Sequence, residues 1–350
     1  MKRSFSKVLR TLVVAAGLSL SLASGVSFAE RTPMVPLPSP SGVDHPLYVP
    51  ANPNNLAKGT EAQSRPANPS IFTAPNTDPE NSVSIPDKQA GVLIQRSGQE
   101  WRLIRNGIIT VYGGWLLALA FFGVIAMYTI KGSIKLHEPL SGVKIKRFSV
   151  FDRFVHWTMA ASFLALAFTG LMILYGKYFA MPVMGGVAYG LFLNICKNIH
   201  NFVGPLFTLC IVIFFILFAH KNVFGKGDMA WLVSFGGIFS GKHVPAGFFN
   251  FGEKFWFWFG MTFLGLVISA SGFVLDMIVP FMQVEYLRGT MQIANIIHSS
   301  AAILMTAMAM GHIYIGTIGM QGSIDGMKTG YVDATWDKEH HELWYDKLNK

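Results

Sequence analysis

The sequence predicts an all-α membrane protein: a five-helix transmembrane arrangement preceded by a signal peptide and an extended exported arm. Three observations carry that reading. Only 13% of the 350 residues are charged and 51% are hydrophobic, whereas soluble domains carry about a quarter charged residues. Five stretches contain no charged residue between their flanks at 105–131, 153–177, 197–221, 254–276 and 288–325, and each exceeds the roughly 20 apolar residues that a helix needs to cross the hydrocarbon core. The N-terminus has the basic, apolar and small-residue order of a secretory signal. The formal net charge of +9 does not denote nucleic-acid binding, because the basic residues sit in short segments between the apolar runs.

Taken in order, "MKRSFSKVLR" is a basic head, "TLVVAAGLSLSLASGV" an apolar core and Ser27-Phe28-Ala29 a small-x-small cleavage site, so residues 1–29 form the signal. Residues 30–104 form a Pro-rich arm that the signal sends to the periplasm. Twelve of the chain's 17 prolines fall between Pro33 and Pro86, and with no helical or strand period the segment cannot bury enough apolar surface to offset its ordering entropy. It either orders on a partner or serves as a passive linker. An additional transmembrane helix follows over 105–131. Residues 148–325 form the main transmembrane bundle and 326–350 a polar tail.

Loop charges orient the spans. With the arm outside, the first span enters the cell, and the next loop carries Lys131, Lys135, Lys144, Lys146 and Arg147. The loop between spans three and four, also inside, carries Lys221, Lys226, Lys242 and Lys254. The outer loops hold Lys177, Lys197 and Arg288. This asymmetry obeys the positive-inside rule and makes the tail "DKEHHELWYDKLNK" cytoplasmic.

That topology gives four intramembrane histidines a depth. His156 opens the second span near the inner face, and His200 opens the third near the outer face. His298 lies in the outer part of the fifth span. His312 follows fourteen residues later, about 21 Å along a helix and close to four whole turns, hence on nearly the same face. His200 and His298 therefore share the outer level, and His156 and His312 the inner one. A single histidine in a membrane helix is as readily a packed core residue or a proton relay. Two pairs matched in depth and drawn from different helices instead suit a bundle-held cofactor, and imidazole is a strong axial ligand for haem iron. Ser299, Ser300, Ala301, Ala302, Gly311 and Gly204 provide the thin walls a flat macrocycle needs. The remaining histidines, His45, His137, His220, His243, His340 and His341, are expected in solvated or interfacial positions.

Cysteine usage narrows the cofactor. The two cysteines, Cys196 and Cys210, supply neither C-x-x-C-H nor the four thiolates of an iron–sulfur cluster. An iron centre here is a non-covalent b-type haem, and the different depths of the two thiols argue against a disulfide.

The segments "VFDRFVHWTMAASFLALAFTGLMIL", "NIHNFVGPLFTLCIVIFFILFAHKN", "FNFGEKFWFW", "IIHSSAAILMTAMAMGHIYIG" and "GSIDGMKTGYVDATWDKEHHELWY" resemble the gamma, cytochrome b, subunit of membrane-bound respiratory formate dehydrogenase. That di-haem cytochrome b family is shared with hydrogenase cytochrome b subunits. The resemblance runs from about Phe148 to Tyr345; the signal, the arm and the extra first span depart from it. It implies a four-helix di-haem bundle, with His200 and His298 on the iron of an outer haem and His156 and His312 on that of an inner one. It implies that Asn250 lies at a quinone site beside the inner haem; the residues alone favour a helix N-cap at that position. Arg153, one turn before His156, is placed either to meet a haem propionate or to anchor its span. The implied partners are an iron–sulfur beta subunit and a catalytic alpha subunit with molybdenum or tungsten. Electrons from formate would pass inward to menaquinone or ubiquinone in the bacterial inner membrane.

Other readings remain open from the residues themselves: a hydrogenase or thiosulfate-type reductase cytochrome, a non-redox membrane anchor, or a proton pathway. An anchor needs no paired histidines, and a pathway would be expected to show more buried carboxylates than Asp276 at an outer end. Reporter fusions after Gln99 and after Lys350 test the topology: the first should report periplasm and the second cytoplasm. A tail found outside would invert the depth of all four histidines.

Overall fold

The computed structural model describes residues 96–237, 244–276 and 287–348. The signal peptide, almost all of the arm with His45, and Lys242 and His243 lie outside them. Among the described residues five helices are long and apolar enough to cross a membrane: α1 (Gly98–Lys131), α2 (Val150–Met184), α3 (Gly186–Lys221), α5 (Phe251–Leu275) and α6 (Gly289–Gly319). Among the described residues the short elements are β1 (Lys144–Lys146), α4 (Asp228–Ser234), α7 (Ser323–Thr329), β2 (Tyr331–Asp333), α8 (Ala334–His340) and α9 (Glu342–Leu348). The all-α membrane architecture expected from the sequence is the one observed. Large apolar side chains such as Leu119, Phe154, Phe202 and Ile216 are exposed on the helices' outer faces, as a lipid-facing surface requires.

Helix α2 packs along α3, α3 along α5, α5 along α6 and α6 along α1. The principal core joins Phe148, Phe207, Ile211, Phe218, Phe257, Met261, Leu264, Ala301 and Met305. Helix α1 is integral to the packing. Ile109 is buried with Leu174 of α2 and Ile303 of α6. The Trp101 indole donates to Asn295 Oδ1 at 3.2 Å, and the Tyr175 hydroxyl to the Thr110 carbonyl at 3.1 Å. Gly113 is needed where the helices touch, because a Cβ there would lie 2.5 Å from Ile303 Cδ1.

Local chemistry explains where the spans begin. Ser149 caps α2: its Oγ accepts from Asp152 N at 3.1 Å and Asp152 accepts from Ser149 N at 2.8 Å, the reciprocal capping box. Asn250 and Glu253 repeat the box at α5, at 3.0 and 2.8 Å. Lys254, expected in solvent, is buried instead, with Nζ 2.8 and 2.9 Å from the Asp228 carboxylate. Asp228 opens α4 and is itself buried, so the pair neutralises two charges where α4 folds under α5. Glu253 is part-exposed but committed to the cap.

The tail folds back over the end of the bundle where α2 begins. Strand β1 pairs antiparallel with β2, Ile145 opposite Val332. Asp333 accepts from Ser141 N and Oγ, Gly142 N and Thr335 N at 2.9–3.0 Å. Burial alone would raise its carboxyl pKa, but these bonds hold it below the ordinary value. Gly330, at φ +91°, takes hydrogen bonds from Arg147 N and Phe148 N on its carbonyl; a Cβ there would meet the Phe148 carbonyl at 2.8 Å.

At the centre of this closure is Arg147, almost wholly buried. It donates to Asp337 Oδ1 at 3.1 Å, to the Phe248 carbonyl, and to His341 Nε2 at 3.1 Å. Aromatic rings surround the guanidinium, with Phe248, Trp344 and Trp336 centred 4.6, 5.1 and 5.4 Å away. His341 was expected in solvent; it is 1% exposed. Its Nδ1 donates to the Gly247 carbonyl at 2.8 Å, so Nε2 keeps the lone pair that Arg147 meets and the ring is neutral. The sequence motif read as a polar tail is thus an amphipathic plug whose Trp336, Asp337 and His341 point inward. Exposed His137, by contrast, sits as expected at the surface, 3.2 Å from Glu339.

The plug makes a pH prediction. Burial, then the Arg147 charge, holds His341 well below the ordinary histidine value; Glu253 is 3.9 Å away and the closer Arg147 prevails. Its stabilising contribution is therefore present above about 6.5 and lost as pH falls below it. Burial pushes Asp337 up to about 7 against the opposing Arg147 charge. Its contribution is present at low pH and lost as pH rises toward 7. The two slopes oppose each other between about pH 4 and 6.5. Relative to the parent chain, the tail of His341→Gln should resist protease better as pH falls through that window, and the tail of Asp337→Asn should resist it worse. Parallel pH profiles for both variants would refute the arrangement.

Candidate functional site

Four histidines converge in two pairs. His200 of α3 and His298 of α6 have ring centres 5.9 Å apart, and His156 of α2 and His312 of α6 have theirs 6.5 Å apart. This is the pairing that depth along the spans suggested. Ring centres roughly 6 Å apart would leave room for one metal ion between two imidazole nitrogens, each about 2 Å from it. His156, His200 and His298 are part-buried.

The outer pair is braced by α2 and α5. Thr169 Oγ1 lies 2.8 Å from His200 Nδ1. The Ile268 carbonyl lies 3.0 Å and Ser271 Oγ 3.2 Å from His298 Nδ1. The next residue in each case is a glycine. A Cβ on Gly170 would come within 3.2 Å of His200 Cε1, and one on Gly272 within 3.3 Å of His298 Cε1. A hydroxyl followed by glycine, Thr169-Gly170 and Ser271-Gly272, therefore makes the same cradle twice. Sequence reasoning missed these four residues, although the repeated dipeptide at the level of each outer histidine was visible.

The inner pair is held differently. Trp256 stacks on His312 with ring centres 4.9 Å apart and planes 13° apart. The helix widens to π geometry from Trp256 to Leu264, a feature frequent at functional sites. His156 contacts Trp157 and Phe214. Its Nδ1 is buried, with no hydrogen-bond partner among the described residues. Asn250 caps the helix that carries Trp256 six residues on, so the capped loop and the ring stacked on His312 share one element. The cap engages Oδ1 and the backbone N–H of Asn250; the side-chain nitrogen Nδ2 takes no part in it. Arg153 donates to the Lys328 carbonyl at 3.0 Å, while its buried Nε has no partner among the described residues.

The donor chemistry fits a macrocycle better than a bare ion. Among the described residues no group of three or more His, Cys, Asp or Glu could hold a metal, and a structural or catalytic zinc takes at least three protein ligands. Two facing imidazoles at each level suit iron whose other positions a porphyrin fills. Cys196 and Cys210 are buried and free.

A helical membrane bundle with facing histidine pairs at two levels defines a membrane-embedded b-type cytochrome. The chain belongs to the prokaryotic cytochrome b561 family, whose family model matches residues 147–330, and membership implies haem b. It is similar to the formate dehydrogenase cytochrome b556(fdo) subunit of Escherichia coli (strain K12), at 29% identity over 208 residues, covering 59% of this chain and 94% of the relative. It is also similar to the nitrate-inducible formate dehydrogenase cytochrome b556(Fdn) subunit of that strain, at 26% over 215 residues, covering 59% of this chain and 92% of the relative. The formate dehydrogenase cytochrome b556 subunit of Haemophilus influenzae matches at 26% over 212 residues, covering 59% and 85%.

Proposed function

We propose that this chain is the membrane cytochrome b subunit of a formate dehydrogenase, with two b-type haems and a quinone-reducing site facing the cytoplasm. The observation that carries this is the pair of facing histidine sets, both anchored on α6. His200 and His298 hold the iron of the outer haem, and His156 and His312 that of the inner one. When bound, the haems supply one-electron relay positions at two depths. The partners are an iron–sulfur beta subunit and a catalytic alpha subunit with molybdenum or tungsten on the periplasmic side. The setting is the bacterial inner membrane, with residues 148–325 as the bundle, 105–131 as the additional helix and 30–104 as the exported arm.

The chain's own residues do three things. Helix α6 fixes the spacing of the two levels, because its rise per residue is constant. Trp256 fixes the His312 ring from one face. Asn250 offers an amide donor to a quinone carbonyl (menaquinone or ubiquinone) while its carbonyl oxygen keeps the helix start in place. Arg153 keeps a buried donor for a haem propionate. Inward electron movement with proton uptake on the cytoplasmic side separates charge, at about 2.3 kcal/mol per unit charge for each 100 mV.

Two measurements test this. His298→Ala should remove the outer haem and leave much of the inner haem in the reduced-minus-oxidised spectrum; well-folded parent protein with no haem would end the reading. Asn250→Ser, which preserves the helix cap, should keep both haems and their reduction by the partner complex. It should slow reoxidation by quinone, since losing an oriented hydrogen bond costs about 1–3 kcal/mol, roughly five- to 150-fold. Reoxidation at the parent rate, with unchanged affinity for a quinone analogue, would place the site elsewhere.

A further inference from the structure

The two histidine levels differ in how their distal ring nitrogens are satisfied, and the neighbouring acceptors at the outer level set the hydrogen-bond directions. Thr169 Oγ1 has a single proton. The hydroxyl bonds back to its own helix, to the Ala165 and Leu166 carbonyls 2.8 and 3.2 Å away, so its proton is directed there. The contact with His200 is then Nδ1–H donating to Oγ1 at 2.8 Å. At His298 the Ile268 carbonyl, 3.0 Å from Nδ1, can likewise only accept. The Ser271 proton goes back to the Val267 carbonyl at 2.6 Å, leaving Ser271 Oγ to accept from Nδ1 as well. Both outer imidazoles are therefore Nδ1–H tautomers with the Nε2 lone pair free. Thr169 and Ser271 are themselves 2% and 7% exposed, so water does not compete for these bonds.

At the inner level the brace is of another kind. His312 is stacked by Trp256, and the buried His156 Nδ1 has no hydrogen-bond partner among the described residues. A hydrogen bond donated from the distal nitrogen moves a ligated imidazole toward imidazolate and makes it a stronger donor to iron. A stronger donor stabilises the ferric state over the ferrous one and so lowers the one-electron potential.

We infer that Thr169, Ser271 and the Ile268 carbonyl are positioning groups that fix the outer imidazoles and hold the outer haem at a lower reduction potential than the inner haem. This rests on the haem ligation proposed above. The asymmetry makes inward electron movement downhill by construction, independent of what reduces the outer site.

The test is a redox titration of the haem spectrum, with low-spin electron paramagnetic resonance, on the intact complex in native membranes. Thr169→Val keeps the shape and deletes the hydroxyl. One of the two haem components, the lower-potential one of the parent, should move upward by about tenfold in its reduction equilibrium, near 59 mV for one electron, with a changed low-spin signal. The other component should stay in place. Ser271→Ala should move the same component less, because the Ile268 carbonyl remains, and Thr169→Ser should match the parent. Loss of the outer haem in Thr169→Val but not in Thr169→Ser also supports the positioning role. Two unmoved potentials in Thr169→Val with both haems retained would overturn the inference, as would a shift confined to the parent's higher-potential component, or equal haem loss in the Val and Ser variants. Absence of haem from the parent protein would instead refute the ligation itself.

Discussion

Fourteen residues of helix separate His298 from His312, and that segment of α6 gives the protein its two levels. A helix is stiff along its axis, so the spacing of the two sites is set by covalent geometry and not by the surrounding packing. The neighbours need only bring one imidazole to each level, which α3 does with His200 and α2 with His156. The close approach of α1 at Gly113 and the core contacts through Ala301 and Met305 then serve one end: keeping α6 in register with its neighbours. A register slip of one residue would turn each histidine about 100° away from its partner.

The inner end meets a second constraint. A guanidinium cannot be buried without several acceptors, and Arg147 obtains three of them from two separate segments: Asp337 and His341 of the tail, and the Phe248 carbonyl of the loop before α5. The loop that presents Asn250 is thereby tied to the far end of the chain. Nearby, Lys254 and Asp228 neutralise each other under α5. Arg147 and Lys254 are of a type that composition assigns to the surface, and both are held inside because each meets a carboxyl oxygen within 3.1 Å.

The spans, their order and the four histidines were legible because each is a local or periodic signal: a charge-free run, a fourteen-residue spacing, a depth. The class of cofactor followed from the cysteines and the pairing. What was not legible is contact between residues far apart in sequence. Nothing local distinguishes His341, which is buried, from His137, which is not. The difference comes from Arg147, almost two hundred positions earlier. Thr169, Ser271 and Trp256 read as ordinary residues of apolar helices until the fold sets them against imidazoles. Asn250 illustrates both sides, since the helix cap that its sequence context predicts is present and does not use its side-chain nitrogen.

The pairing of β1 with β2 also bears on how the protein is made. Lys144 lies opposite Asp333, so 189 residues (333 minus 144) must be synthesised after β1 before its partner exists. At about 5–20 residues per second, that is roughly 10–40 s. Throughout that interval the spans can insert and pack while the guanidinium of Arg147 still lacks Asp337 and His341. The spans are thus assembled before this end of the bundle is closed, and the closure waits on Asp337 and His341, the groups that complete the burial of Arg147.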